Sequence, residues 1–552
     1  MGYVALGANT TGGNNVAIGR ISLDANTTGN NNTALGNGSL SANTTANNNT
    51  AVGYNALLAN TTGTNNNAFG QGALESNVTN NNNVAVGNAA LQNSTSNNHT
   101  AIGVSALQAN TTGADNTACG SIALDANTSG NNNNAFGRDT LGKNTTGSNN
   151  CGFGNSTLSN NTTASNNTAF GTQALLANTI GTQNVAVGAF AADSHTTGNY
   201  ITAVGVNALG DNTTGSNNTA VGNGAMNRNT TASSNTAVGY QALEENTTGT
   251  QNNAIGTFAL DANTTGNYNQ AVGVYALTAN TTGTSNTAMG HGALFENTTA
   301  NNNTAYGFNA LLDLTDQENS TAVGAFAGEN AVGPSNAFLG QSAGKGAASG
   351  CNGDSNTAVG KGSFASFTTG RNNTCVGIQA GESVTTGQNN LLLGRNAGTS
   401  SSPSGLVQAS SNTICLGDNN ITSIHCADTS ISSSDSRDKT DVADFTKGLE
   451  WINALRPVTY KWDRRTWYGT DAEPYGTPDG SKKRQRLHIG FLAQEALEVE
   501  KANGYGDTSD NMLVCNLTED GMSYGMKYER LVPILVNAIK ELSAKVTALE
   551  AG

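Results

Sequence analysis

The sequence predicts a mostly β fold, in which a repetitive β-solenoid shaft is followed by a smaller α+β domain ending in a long helix. Three observations support this prediction. A 17-residue repeat fills most of the first 433 residues. The repeat is rich in Asn, Thr and Gly, which form helices poorly. The last 119 residues differ in composition, because they contain 16 of the 24 Lys and Arg residues and all three Trp.

The repeat is aligned on the glycine of Asn-Thr-Ala-aliphatic-Gly, which recurs from Gly19 to Gly324. Seventeen of the eighteen intervals are 17 residues long and one is 16. A strict short period is typical of solenoids, in which stacking completes a core that one coil cannot close. A 17-residue unit is too short for two helices. We therefore expect one β-coil per repeat, and a shaft of roughly 90 Å at about 4.8 Å per coil.

Each coil is predicted to contain a short strand, an apolar step and a turn. Thr-Ala-Val forms the strand, which Gly ends, and the leucines stack from Leu40 to Leu311, with Ala192 and Met226 as substitutions. Asn-Thr-Thr-Gly is predicted to form the turn, because Asn and Gly tolerate left-handed backbone and Thr hydroxyls bond nearby backbone. Asn side chains in register are expected to hydrogen-bond along the stack.

One such coil encloses few aliphatic side chains, so we expect three chains to share the core as a homotrimer. Over about residues 4–417, the repeats are similar to the head repeats of trimeric bacterial adhesins, whose motif is alike and whose period is shorter. Regular repeats are predicted over 1–324. Over 325–417 the intervals become irregular and the Leu position is replaced, for example by Gly328 and Phe364. Residues 418–433 are predicted to link the shaft to the domain 434–552.

Composition and charge argue against several classes of protein. The net charge is −14, of which −11 lies in the first 433 residues, so we expect no nucleic-acid partner. We expect no membrane insertion, because no apolar run is long enough to span a bilayer, and Met1 begins no cleavable signal. The acidic residues are scattered, so we predict no metal site and no cofactor. Cys119, Cys375 and Cys415 replace apolar repeat residues and are expected to be small buried thiols in a protein made in a reducing cytoplasm.

The stretch from Ser434 to Lys439 lies where the composition changes. A serine and a lysine five residues apart suggest self-cleavage, because a hydroxyl needs a base and a buried lysine can lose its charge. Taken alone, the same hexapeptide is also compatible with a helix N-cap or a polar turn.

The C-terminal segment contains four motifs in a fixed order. They are Ser434-Asp-x-Arg-x-Lys439, Leu455-Arg-Pro-Val-Thr-Tyr-Lys-Trp462, Gly490-Phe-Leu-Ala-Gln-Glu495 and Tyr528-Glu-Arg-Leu-Val-Pro. Over about 434–552 the segment resembles the intramolecular chaperone domain at the C terminus of phage endosialidase tailspikes and many phage tail fibres. The myelin regulatory factor of animals carries the same type of domain.

The resemblance implies autoproteolysis by a serine–lysine dyad. The chain would be cut between Ser433 and Ser434, with Ser434 attacking or activating the bond and Lys439 acting as its base. One position departs from the family, since Asp438 stands where the residue before the lysine is usually apolar. A neighbouring carboxylate favours protonated lysine, so we expect cleavage to be slow.

Four further residues match the family motifs and are expected to support the site. Asp435 and Arg437 are expected to hold the loop around the dyad. Gln494 and Glu495 match the third motif near the site, with no role assigned to either.

The remaining elements of the domain follow from periodicity. Residues 458–462 and 488–492 are predicted strands, 463–486 an exposed hairpin insertion, and 493–501 a helix. A coiled coil is predicted over about 526–550, because aliphatic residues recur there at alternating spacings of three and four, which suits a parallel trimer. An amphipathic core helix is the alternative.

The sequence as a whole predicts a viral, phage-type tail fibre whose C-terminal domain assembles the trimer and then cleaves itself off. The shaft is expected to bind a host surface receptor, a glycan or a protein, and the N terminus to bind other virion tail proteins. The protein would be made in the host cytoplasm and mature in the virion. The alternatives are a cell-surface trimeric adhesin, a structural filament, or a polysaccharide-degrading tailspike, which would need paired carboxylates in an aromatic-lined cleft.

Overall fold

The computed structural model of the chain describes residues 2–421, 439–469, 473, 475–517 and 523–552. Two compact units divide the chain, Met1–Asn372 and Asn373–Gly552. The first unit consists of solenoid coils. The second contains the last coils and the α+β region.

The first unit contains 21 strands of three residues each, and every strand pairs in parallel with its sequence neighbours, usually 17 residues away. This confirms the predicted β-solenoid. In chain order, β1–β21 are Val16–Ile18, Thr33–Leu35, Thr50–Val52, Asn67–Phe69, Val84–Val86, Thr100–Ile102, Thr117–Cys119, Asn134–Phe136, Cys151–Phe153, Thr168–Phe170, Val185–Val187, Thr202–Val204, Thr219–Val221, Thr236–Val238, Asn253–Ile255, Gln270–Val272, Thr287–Met289, Thr304–Tyr306, Thr321–Val323, Ala337–Leu339 and Thr357–Val359.

The interior of each coil is formed by the middle strand residue and by the Ala-Leu step. The middle residue is buried in every strand of the unit, and the leucine column is fully buried from Leu23 to Leu311, as predicted. Ala192 and Met226 are buried in the same column. Because one chain closes this core by itself, the expectation that three chains share it is not needed to explain the burial.

Two columns of asparagine also run through the interior. In the first, which we call the turn column, Asn43 Nδ2 donates to Asn26 Oδ1 at 2.8 Å. In the second, the pre-strand column, Asn32 Oδ1 accepts the backbone N–H of Asn49 at 3.0 Å. The Asn49 amide in turn donates to the carbonyl of Gly63 at 2.8 Å. The buried amides of the two columns therefore bond neighbouring coils, which confirms the predicted ladder. The Oδ1 atoms of Asn77, Asn178 and Asn297 accept no hydrogen bond from the described residues.

The left-handed residues are not those predicted for the turn. Leu40 has a φ of 50° and Asn48, two residues before a strand, a φ of 61°, whereas the turn asparagine Asn43 has no positive φ. A left-handed leucine is unfavourable by about 1–2 kcal/mol. In this fold the left-handed conformation brings the leucine side chain into the column. It also lets the leucine backbone N–H donate to the next coil, as Leu40 N–H does to the carbonyl of Ala56 at 3.1 Å.

The third residue of each strand points out of the coil. It is exposed or half-buried in all of β1–β21. Cys119 occupies this position in β7 and is only half-buried, so its predicted burial is wrong. Cys375 and Cys415 are buried as predicted, because they occupy the middle position of their strands.

The second unit contains three more coils and a small α+β region. Strands β22 (Thr374–Val376), β23 (Leu391–Leu393) and β24 (Ile414–Leu416) pair in parallel. The α+β region contains the antiparallel pairs β25 (Val458–Tyr460) with β26 (His488–Gly490) and β27 (Cys515–Leu517) with β28 (Tyr524–Met526). Its helices are α1 (Leu449–Ala454), α2 (Ala493–Ala502) and α3 (Leu531–Glu550), with 3₁₀ turns at Arg465–Trp467, Ser509–Asn511 and Tyr528–Arg530.

Helix α3 begins at Leu531, because Tyr524–Met526 is used as a strand. Its first half packs inward: Leu531 and Ile534 form a buried cluster with Trp451 and Val514. The aliphatic residues of the predicted coiled-coil seam face away from this cluster and are exposed, namely Val532, Leu535, Ile539, Leu542, Val546 and Leu549. No helix among the described residues is long and apolar enough to cross a membrane.

Candidate functional site

The predicted cleavage site lies mostly outside the described residues. Ser433, Ser434, Asp435 and Arg437 fall there. Lys439 is described, and it is exposed. The serine–lysine dyad therefore stays a prediction, and the described part of the site is the scaffold formed by the other three motifs.

The second and third motifs are joined by an ion pair. The guanidinium of Arg456, just before β25, donates through Nε to Glu495 Oε2 at 3.0 Å and through Nη2 to Glu495 Oε1. The bidentate bond lowers the pKa of Glu495 below its usual value and raises that of Arg456. Glu495, which had no assigned role, thus ties α2 to the chain segment before β25.

The third and fourth motifs meet at a glycine. The Tyr528 hydroxyl accepts the backbone N–H of Phe491 at 3.1 Å. A Cβ on Gly490 would lie 2.5 Å from that hydroxyl oxygen. The glycine of the third motif therefore lets the tyrosine of the fourth approach the backbone, and the two motifs form one contact.

Gln494 is exposed at the start of α2 and lines two cavities of about 380 and 510 Å³. The smaller one is also lined by Trp462 of the second motif, by Arg464 and Tyr475 from the insertion, and by Ser402 from the last coils. Gln494 therefore borders both cavities, whereas Glu495 is paired with Arg456.

The insertion between β25 and β26 stacks its cations on aromatic rings. Arg464 lies 4.3 Å from the Trp462 ring and Arg484 lies 5.1 Å from the Trp467 ring. Arg484 Nη2 also donates to the carbonyl of Asn419 at 2.8 Å. Burial, and then the nearby Arg484, lower the pKa of Arg464. This part of the insertion therefore holds the end of the last coil rather than being wholly solvated.

A buried carboxylate in α2 was missed by sequence reasoning. Glu500 is fully buried, and its two oxygens accept the backbone N–H groups of Leu513, Val514 at 3.1 Å and Cys515 at 3.0 Å. Burial, and then this carboxylate, raise the pKa of Cys515 to about 12. The available signal was spacing, because Ala496 and Glu500 are four residues apart and share the apolar face of the helix.

The segment that follows Lys439 is held by α3. Asn537 Nδ2 donates to the carbonyl of Phe445, and Glu541 Oε2 accepts the backbone N–H of Leu449 at 3.1 Å. A Cβ on Gly448 would lie 2.6 Å from the backbone nitrogen of Ala538, so the segment crosses α3 in close contact. Residues 445–449, which follow the predicted dyad in the chain, are therefore held against α3.

Across the described parts of the chain, no group of three or more His, Cys, Asp or Glu side chains could hold a metal ion. Residues 434–505 match the family model Peptidase_S74, described as the chaperone of endosialidase. No curated protein and no solved structure matches the chain. The chain thus carries, after a β-solenoid, a C-terminal segment similar to the endosialidase chaperone family of peptidases.

Proposed function

We propose that this chain is a phage-type tail-fibre protein, made in the host cytoplasm and assembled into the virion as a homotrimer. Its solenoid binds a host surface receptor, a glycan or a protein, and its N terminus binds other tail proteins. The observation that carries this proposal is the match of residues 434–505 to the chaperone of endosialidase, placed directly after a β-solenoid.

The C-terminal domain is proposed to assemble the trimer and then remove itself. Lys439, uncharged, accepts the proton of the Ser434 hydroxyl, whose oxygen attacks the carbonyl carbon of Ser433. Lys439 then gives this proton to the peptide nitrogen of Ser434, which leaves as an amine, and an ester joins the carbonyl of Ser433 to the side-chain oxygen of Ser434. Water hydrolyses the ester, which frees the carboxylate of Ser433 and restores the hydroxyl of Ser434.

The first prediction concerns this self-cleavage and is tested by intact mass. Purified wild-type chain should yield fragments 1–433 and 434–552 without added protease. Ser434→Ala, Lys439→Ala and Lys439→Arg should each leave the 552-residue chain intact, because arginine keeps its proton and cannot act as a base.

Lys483→Ala is the matched control, since Lys483 is an exposed lysine of the same domain and lies outside the four motifs. This variant should be cut at the wild-type rate. Normal cutting of Ser434→Ala or of Lys439→Ala would remove the dyad from the proposal.

A further inference from the structure

The outward side of the solenoid strands is apolar along the first unit. We define the strand face as the third residues of β1–β21, which point away from the coil interior. Every one of them is Val, Ile, Leu, Phe, Tyr, Met or Cys. Exposed fractions include 51% at Ile18, 42% at Phe69 and 54% at Tyr306. Single exposed apolar residues are ordinary on a protein surface, but an unbroken column of them is not.

The strand face is also free of charge. Between residues 16 and 359, no strand contains Asp, Glu, Lys or Arg at any of its three positions. Charges of the same coils lie elsewhere, as with Arg228 and Glu245, whose side chains pair across adjacent coils at 2.6 Å. Depletion of charge in an apolar patch marks the centre of a protein interface.

The area of this face exceeds what a monomer usually exposes. Eleven of the 21 residues are 37–54% exposed and the other ten are half-buried, so the face presents on the order of 1,000 Å² of apolar side chain per chain. Stable interfaces bury about 800 Å² on each partner, and the largest apolar patch of a monomer is about 300–600 Å².

We propose that the strand face is the interface at which copies of this chain associate side by side, with their solenoid axes parallel. This inference rests on the self-assembly proposed above. Each chain keeps its own closed core, and the chains meet at their outer surfaces instead of sharing one core. Two features select a copy of the chain as the occupant. A copy has the same coil spacing, so it can cover the face from β1 to β21 without a gap. The chain also leaves the aliphatic seam of α3 exposed, which is typical of a helix that pairs with a parallel copy of itself.

Rotational symmetry makes a specific demand on the geometry. In a closed ring of parallel copies, each residue on the axis meets its own equivalents at the same height. A residue of the strand face should therefore lie near the same residue of its neighbour. A residue at an outward turn position of the same coil should not.

The first arm of the test is cross-linking of the full chain. Cys119→Val and Cys151→Val first remove the two half-buried native thiols of β1–β21. Val238→Cys places one thiol on the strand face. Thr248→Cys places one thiol on the exposed turn of the same coil and is the matched control. With a short bismaleimide, Val238→Cys should give at least fivefold more covalently linked chain than Thr248→Cys. Equal yields would overturn the inference.

The second arm measures assembly mass by sedimentation. The double variant Val221→Lys, Val238→Lys should lower the mass or the stability of the assembly, because equal charges meet around the axis. The control Thr231→Lys, Thr248→Lys should assemble as wild type does, since both threonines are exposed on turns. Because cysteine is a mild substitution, the first arm decides the question if the lysine variant fails to fold.

The outcomes separate the two proposals. If the wild-type chain is a multimer, the lysine double variant assembles equally well and the two cysteine variants cross-link equally, then the strand face is not the interface. Self-assembly would still hold in that case. A wild-type chain that sediments as a monomer would overturn both, and the face would then belong to another partner.

Discussion

At the scale of the residue, two histidines replace asparagines inside the solenoid. His195 occupies the turn column, with Nε2 2.8 Å from the Gly198 carbonyl and Nδ1 2.7 Å from the Asn212 amide nitrogen. A carbonyl only accepts and an amide NH₂ only donates, so the neutral ring with its proton on Nε2 satisfies both. His99 occupies the pre-strand column, where its Nδ1 accepts the backbone N–H of Asn116 at 3.2 Å.

These contacts predict an acid-sensitive solenoid. Burial lowers the pKa of both His99 and His195 from 6.5, and a second proton on Nδ1 would face a donor. The unfolded chain takes up these protons as the pH falls below about 6.5 while the folded chain does not, so stability is lost on acidification. The thermal unfolding midpoint should fall between pH about 7.5 and about 5, and His99→Asn with His195→Asn should reduce that fall.

The matched control is His291→Asn, because His291 is exposed. It should keep the wild-type pH dependence. All other titrating groups are common to these variants and cancel in the comparison. A pH dependence unchanged by the two buried substitutions would show that the asparagine columns tolerate the charged ring.

Glu500 gives a second prediction at this scale. Glu500→Gln places an NH₂ group among three backbone donors, which should weaken the link between α2 and β27 by about 2 kcal/mol. Hydrogen exchange at residues 513–515 should then be on the order of 30-fold faster. The control is Glu498→Gln on the exposed side of the same helix, which should change exchange little. Similar exchange in both variants would mean that the buried carboxylate is dispensable.

At the scale of the element, the coil needs glycine at one position and only accepts it at another. Gly239 ends its strand with a φ of 144°, and a Cβ there would lie 2.4 Å from the carbonyl oxygen of Gly256. Gly249 lies in the turn, where a Cβ would also be close to backbone. However, Ala232 and Ala300 occupy that turn position in other coils and are buried there, so the backbone can adjust.

The same substitution should therefore have different effects at the two positions. Gly239→Ala should destabilise the solenoid by about 2 kcal/mol or more, because both the backbone angle and the close carbonyl oppose a side chain. Gly249→Ala should change stability by less than about 1 kcal/mol. Thermal unfolding of the two variants measures the difference, and equal losses would contradict this account of the strand-ending glycine.

The elements differ in how far the sequence could predict them. The strands, the leucine column and the asparagine ladder could be predicted from the repeat. Each coil has the same residue types at the same positions, and the 17-residue period fixes which residues stack. The left-handed leucine could not be predicted, since its local propensity opposes it and only stacking stabilises it. In the α+β region, the Gly490–Tyr528 contact joins distant motifs that occur once each, so no repetition reveals it.

At the scale of the molecule, repetition leaves the register undetermined. Sliding one coil by 17 residues, or one chain past another by one coil, still places leucine on leucine and apolar strand residue on apolar strand residue. Weakly specified register favours slipped pairings and aggregation. The α+β region occurs once per chain, and the coiled coil predicted for the exposed seam of α3 would align parallel chains in one register. It can therefore set the register that the solenoid lacks.

The order of events should then decide the outcome of removing the C-terminal domain. Deletion of 434–552 from the gene should give insoluble or monomeric solenoid, because no nucleus aligns the chains before the coils pair. Cutting the same segment from assembled protein should leave a stable trimer, because the strand faces are already in register. Native mass spectrometry and solubility compare the two products. A soluble, correctly aligned trimer from the shortened gene would show that the repeats find their register unaided. That result would contradict the chaperone role and would not bear on self-cleavage.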